Sequence, residues 1–275
     1  MRELFFKLFE MSHFDTGISV TAFSVSHIVY LLLITGAIVG LYFGFRNKTY
    51  GEKERFLGLL IILLTVSYIS DFFVHEFVYA TVENGVVVEG GGLNMDKLPF
   101  HICVVLCPIS AFVQFNCKFK RFREPVAMLA VLAPMMYIVY PASIGSGEPW
   151  CYQAVQTMFY HGTLMAWGIL NLALGVVKPD IRKSYKAAIL LVGITLWAKL
   201  GNLLLEHNWF FLEEDAFYIG LVENGIIPKW LLMVINPIVF FLAVLAVYGV
   251  YYLVMRLKNG KAYVPAEEAK EEVTV

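Results

Sequence analysis

Long apolar runs alternate with short polar stretches along this chain. The runs cover about 20–45, 55–80, 98–116, 122–142, 153–177, 185–206 and 230–256. Each approaches the ~20 residues with which a helix crosses ~30 Å of hydrocarbon. The pattern therefore predicts an all-α membrane protein, a bundle of seven transmembrane helices occupying residues 20–257 as one domain. Residues 1–19 read as a short interfacial amphipathic segment. Leu4, Phe5, Leu8 and Phe9 lie on one side, with Arg2, Glu3, Lys7 and Glu10 around them. That segment is too charged for the apolar core of a signal peptide. Residues 258–275 read as a mobile cytoplasmic tail.

The polar stretches carry an orientation. Arg46, Lys48, Lys53 and Arg55 lie between runs one and two, Lys118, Lys120, Arg121 and Arg123 between three and four, and Lys178, Arg182, Lys183 and Lys186 between five and six. Arg256, Lys258 and Lys261 follow the seventh run. The alternate loops are acidic, with Glu83, Glu89 and Asp96, then Glu148, then Glu206, Glu213, Glu214, Asp215 and Glu223. The positive-inside rule then predicts an outside N-terminus and a cytoplasmic C-terminus. Composition agrees with the membrane assignment: charged residues are 16% of the chain, against about 25% in soluble domains. A net charge of −1 provides no basic field for nucleic acid.

Once oriented, the runs place polar side chains at similar depths. His27, Asp71 and His161 fall roughly 12–13 Å below the outer boundary at 1.5 Å per residue. His75, His101, Cys103, Gln156, Tyr137, Tyr140, Lys199, Asn202 and Asn236 join the same outer half, whereas Gln114 is the main polar residue of the inner half. Ionisable groups inside a membrane are costly and mark a functional site by default. Convergence on a polar cavity open to the outer leaflet is expected. Interhelical hydrogen bonding, at about 0.6 kcal/mol per contact, is the plainer account of Asn202, Asn236 and the tyrosines.

The densest segment is Leu98-Pro99-Phe100-His101-Ile102-Cys103, with Cys107 one turn on. His101 and Cys103 are two residues apart, so on a helix they point about 200° apart and are not mutual partners. A base for the Cys103 thiol must come from another helix, and His161 has the right depth. Cys103 near a helix N-terminus favours thiolate modestly, while a free cysteine is also commonly a small buried hydrophobe. Ser67, Asp71 and His75 share one helix face; Asp71 is placed to orient an imidazole or to pair with Lys199. Gly90-Gly91-Gly92 reads as a mobile lid or a flexible turn.

The segment Pro99-Phe100-His101-Ile102-Cys103, with Phe159-Tyr160-His161-Gly162 and Leu200-Gly201-Asn202-Leu203, resembles YwaF-type bacterial integral membrane proteins. That type is similar to a eukaryotic transmembrane acyltransferase that remodels ether phospholipids, and distantly to the androgen-induced intramembrane hydrolases of fatty-acid esters. The resemblance implies acyl transfer or ester hydrolysis on lipids in a bacterial plasma membrane, with His101 and His161 in the histidine-bearing segments. In the acyltransferase branch a cysteine directly precedes the first histidine, where this chain has Phe100; its nearby thiol is Cys103. The family's Asn-Tyr-Met segment is here Asn202-Leu203-Leu204.

The leading expectation is an intramembrane lipid acyltransferase or lipid-ester hydrolase. Cys103 attacks, His161 or His101 is the base, and Asp71, His75, Lys199, Asn202 and His27 support them. Membrane lipids are solvent and substrate. No cofactor is expected, and no metal: the four cysteines have no zinc spacing and the histidines form no HxxxH or HExxH pair. The alternatives are a transporter or receptor binding a small polar solute or lipid, and a metal-dependent hydrolase using His75, His101 and His161 with Asp71.

Overall fold

The structure, a computed structural model, describes residues 20–77, 80–83, 86–89, 95–141, 149–212, 224, 226 and 228–259. Its α-helices among these residues are α1 (Val25–Phe45), α2 (Tyr50–Phe77), α3 (Ile102–Phe115), α4 (Arg123–Val139), α5 (Tyr152–Ala173), α6 (Tyr185–Leu205) and α7 (Leu232–Asn259). They coincide with the seven apolar runs. Helices are dictated by the solvent, because in lipid a chain must satisfy its backbone polar groups internally. The segments 1–19 and 260–275, like the Gly90-Gly91-Gly92 stretch, lie outside the described residues.

Five helices, α1, α2, α4, α6 and α7, are long and apolar enough to cross a membrane. The other two carry the sequence motifs. Helix α3 has 14 residues, about 21 Å of rise. Helix α5 has 22 residues, a sufficient length, but it bears Gln153, Gln156, Thr157, His161, Thr163 and Asn171. The difference follows from surroundings. Only 6% of the α1 window and 11% of the α7 window are buried, so those helices must be apolar all round. Helix α5 packs against α1, α2 and α4, and its polar side chains face protein partners instead of lipid.

The tightest seam is α4 against α5. A Cβ at Gly168 would stand 2.8 Å from the Ala127 carbonyl oxygen and 2.9 Å from the Val131 nitrogen, so only glycine lets these two backbones approach. Around it lie Met128, Leu129 and Ala130 of α4, Leu164, Trp167 and Leu170 of α5, and Leu57, Ile61 and Leu64 of α2, all fully enclosed. Among the described residues the bundle is all-helical apart from one antiparallel hairpin between α2 and α3, β1 (Ala80–Glu83) and β2 (Val86–Glu89). Its register pairs Glu83 with Val86, which leaves residues 84 and 85 as the connection. They are Asn-Gly, the strongest short hairpin signal, flanked by β-branched residues.

Candidate functional site

Two of the sequence-predicted histidines lie at the same end of the bundle. His161 is half-buried on α5, and its ring stacks on Tyr137 of α4 at 4.1 Å between centroids and 9° between planes. Its Nδ1 lies 2.8 Å from the Thr157 carbonyl oxygen, one turn back. A carbonyl only accepts, so Nδ1 carries the hydrogen and the neutral ring keeps its lone pair on Nε2. Nε2 has no hydrogen-bond partner among the described residues. Lys97 and His101 both lie within coulombic reach of this ring.

His101 is held the other way round. It forms the N-cap of α3 with extended backbone (φ −71°, ψ 143°), and its side chain makes no capping bond. Instead Nδ1 accepts the Phe210 backbone N–H at 3.3 Å, so a neutral His101 carries its proton on Nε2. Phe210 sits at φ 57°, a conformation that costs a non-glycine residue about 1–3 kcal/mol and persists only where neighbours enforce it. The enforcing contacts are in the turn after α6. The Asn202 amide grips the Trp209 backbone twice, accepting its N–H at 2.7 Å and donating to its carbonyl at 3.2 Å. Trp209 Nε1 donates to the Met95 carbonyl and Trp197 Nε1 to that of Pro99. Phe100 lies against both indoles and occupies the space a Cβ at Gly201 would need, with its ring carbon 2.5 Å away.

Cys103, half-buried, is the second residue of α3, and its thiol rests near its own backbone N–H. No histidine nitrogen is bonded to that thiol among the described residues. The carbonyl of Cys103 accepts the Tyr160 hydroxyl at 2.9 Å, which ties the start of α3 to the residue beside His161. Cys107 has a different setting. It is buried on α3, and the nearby Thr65 and Tyr160 hydroxyls donate to the Ile61 and Cys103 carbonyls.

Asp71 is 1% exposed on α2, and its charge partner is Lys97, with Nζ 2.7 Å from Oδ2. Lys199 is half-buried on α6 and is not the partner. The contact is an ion pair without aligned hydrogen bonds, since neither Asp71 oxygen accepts one. Tyr68 donates to the Lys97 carbonyl at 2.8 Å, and Gln156 reaches the Ser67 carbonyl and hydroxyl. Ser70 lies 3.2 Å from the Tyr152 hydroxyl. Lys97, Tyr68 and Tyr160 were not among the sequence candidates; the one available signal was a lysine two residues before Pro99, at the edge of the run.

Other candidates are placed elsewhere. His27 is fully buried and doubly bonded: the Phe23 N–H donates to Nδ1 at 2.8 Å, and Nε2–H donates to the Ile138 carbonyl at 2.7 Å. That carbonyl belongs to the last turn of α4, where helical acceptors have no intrahelical donor. His27 is thus a neutral bolt between α1 and α4. His75 falls on α2, but its side chain lies outside the described residues. Asn236 is buried on α7 and Tyr140 is 59% exposed. Among the described residues no three His, Cys, Asp or Glu side chains group closely enough to hold a metal ion.

The opposite end of the bundle holds a second buried network. Arg123, 3% exposed, gives Nη1 to both Glu54 carboxylate oxygens at 2.7 and 2.8 Å and Nη2 to Gln114 Oε1 at 2.8 Å. Gln114 returns Nε2 to Glu54 and accepts from Trp167 Nε1 at 2.9 Å. The sequence reading took Arg123 for a loop charge and expected few polar groups here. Beside this network, Glu124 accepts from the Tyr248 hydroxyl and the Asp180 N–H.

The family model for the TMEM164 family, transmembrane proteins, matches residues 22–248. That range includes both polar ends of the bundle and every helix to within α7. No curated protein matches the chain. No solved structure matches it.

Proposed function

The chain belongs to the TMEM164 family, and on that footing we propose that it is an intramembrane acyltransferase or lipid-ester hydrolase whose reacting groups lie at the His101 end. In this reading all seven helices cross the bilayer, the N-terminus is outside, and the His101 end lies in the outer half of a cell membrane. The lysines and arginines at the Arg123 end support that orientation.

The observation that carries the reading is His161, with Nδ1 committed to Thr157 and Nε2 open. A base with one nitrogen fixed and the other unprotonated is what proton abstraction requires. For acyl transfer, Cys103 Sγ bonds the acyl carbon of a lipid ester as its proton passes to His161 Nε2. The ester C–O bond then breaks, and His161 returns that proton to the departing alkoxide. A second lipid hydroxyl, or water for hydrolysis, attacks the thioester with His161 again taking the proton, and the thiol re-forms. The first-turn N–H groups of α3, left without a side-chain cap by His101, suit the developing oxyanion.

Asn202 is not assigned to the oxyanion, because its amide is committed to Trp209. Asp71 is assigned to holding Lys97 and the loop before α3.

The test is reconstitution of the full chain in vesicles with phospholipid labelled on an acyl chain, following transfer to lysolipid and release as free acid. Loss of both products in Cys103→Ala and His161→Ala supports the thioester route. Release that persists in Cys103→Ala but not in His161→Ala points to direct hydrolysis by water. Absence of turnover with saturable binding of a solute or lipid would replace the enzyme with the transporter or receptor reading.

A further inference from the structure

We infer that Asn202 is a positioning residue for His101: by gripping Trp209 it fixes the Phe210 N–H on Nδ1 and so holds the His101 proton on Nε2. The inference rests on the lipid-ester reading for its purpose, though not for its test.

The chain of contacts is short and each link is directional. Both arms of the Asn202 amide are used on one residue, Trp209, with the donor meeting the carbonyl and the acceptor meeting the N–H. Asn202 is buried on α6, so the grip originates on a rigid helix. Trp209 is fully enclosed, and its ring is pinned by Met95, Phe100 and His207. The next residue, Phe210, has little choice of conformation and takes the left-handed one. Its N–H then meets His101 Nδ1.

The same device occurs once more in the chain. Phe23, also left-handed at φ 62°, gives its N–H to His27 Nδ1. There the result is visible, because Nε2–H donates to the Ile138 carbonyl. At His101 the same bond on Nδ1 places the hydrogen of a neutral ring on Nε2.

The consequence is a division of labour between two neutral imidazoles. His161 presents a lone pair at Nε2 and His101 presents a hydrogen there. The first can take a proton; the second has its ring hydrogen fixed on one nitrogen and acts there only as a donor, a role neutral histidine fills in other proton-transfer sites. Two histidines in the same tautomer would duplicate one role and lack the other.

The experiment is nitrogen NMR of the full chain, labelled only at histidine nitrogens and embedded in lipid nanodiscs, with His101→Asn and His161→Asn variants assigning the rings. Wild type is expected to show His101 with Nδ1 unprotonated and Nε2 protonated, and His161 with the reverse. Asn202→Ala is expected to abolish the single His101 tautomer in favour of exchange between the two, leaving His161 unchanged. Asn202→Asp, which in its neutral form offers the same acceptor and donor, is expected to keep the wild-type His101 pattern. Trp209→Phe, which keeps the backbone grip but loses the Nε1 bond, is expected to keep it as well. A wild-type His101 protonated on Nδ1 overturns the proposal before any variant is made. An unchanged tautomer in a folded Asn202→Ala protein overturns it too, as does equal loss in Trp209→Phe. The readout needs no turnover. An inactive protein with the expected spectrum would defeat the proposed reaction and leave this inference standing, and an active one with the wrong spectrum would do the converse.

Discussion

The two polar ends of the bundle are built from similar residue types and differ in how completely those residues are used. At the Arg123 end, carboxylate, guanidinium, amide and indole are joined in one network, and Arg123 Nε is its unmatched buried donor. At the His101 end, Asp71 accepts no hydrogen bond, the Cys103 thiol has no base on it, and His161 Nε2 is open. Saturated buried networks hold packing in place. Unspent donors and acceptors cost stability, and native proteins retain them where something else is to be bound or moved. Under the proposed function, that contrast assigns chemistry to the His101 end and architecture to the Arg123 end, although both lie between helices of the same bundle.

Substitutions can break this contrast in graded steps. The largest effect is expected from His161→Ala. Loss of a general base lowers rate by about 10²–10⁴-fold, read as acyl turnover in vesicles, with thermal unfolding little changed. Arg123→Met should do the opposite. Half-buried Glu54 would keep as its cation only Lys120, in a longer contact at 3.7 Å, at a cost of about 3 kcal/mol, the low end for breaking a buried pair, read as a lowered unfolding midpoint, and adding Glu54→Gln should recover much of it. Should Arg123→Met instead be neutral in stability and lower turnover, the assignment of the two ends would be reversed. Gly168→Ala comes next, with an overpacking cost of about 1–3 kcal/mol in the same unfolding assay. Smallest is Gly36→Ala on lipid-facing α1, where an added Cβ meets nothing within 4 Å and stability should stay within about 0.5 kcal/mol.

Hydropathy made the helices legible because lipid leaves the backbone no alternative. The limits of that signal appear in α3 and α5, the two helices that fall outside the length and hydropathy of a simple span. Helix α5 is read correctly as a helix and is too polar for lipid, since its neighbours are protein. Depth along a helix put His161 and His101 in the same outer half, but depth carries no information on azimuth. Asp71 was accordingly offered Lys199, while its partner Lys97 comes from the loop before α3. The use of Asn202 on a backbone seven residues later was equally hidden, because side-chain grips on irregular turns leave no periodic trace. At the other end, Arg123 carried a topological signal as a loop cation and gave no hint of its burial against Glu54.

The bolt between α1 and α4 has a consequence for biosynthesis. His27 and Ile138 are 111 residues apart, and Tyr30 reaches the Pro149 carbonyl across 119. At about 5–20 residues per second of synthesis, α1 waits roughly 6–22 s after its own emergence before the acceptor for His27 exists. During that interval α1 has been made but the α4 carbonyl that receives its imidazole has not. Helix α1 is therefore fastened to α4 only after the helices between them have been made.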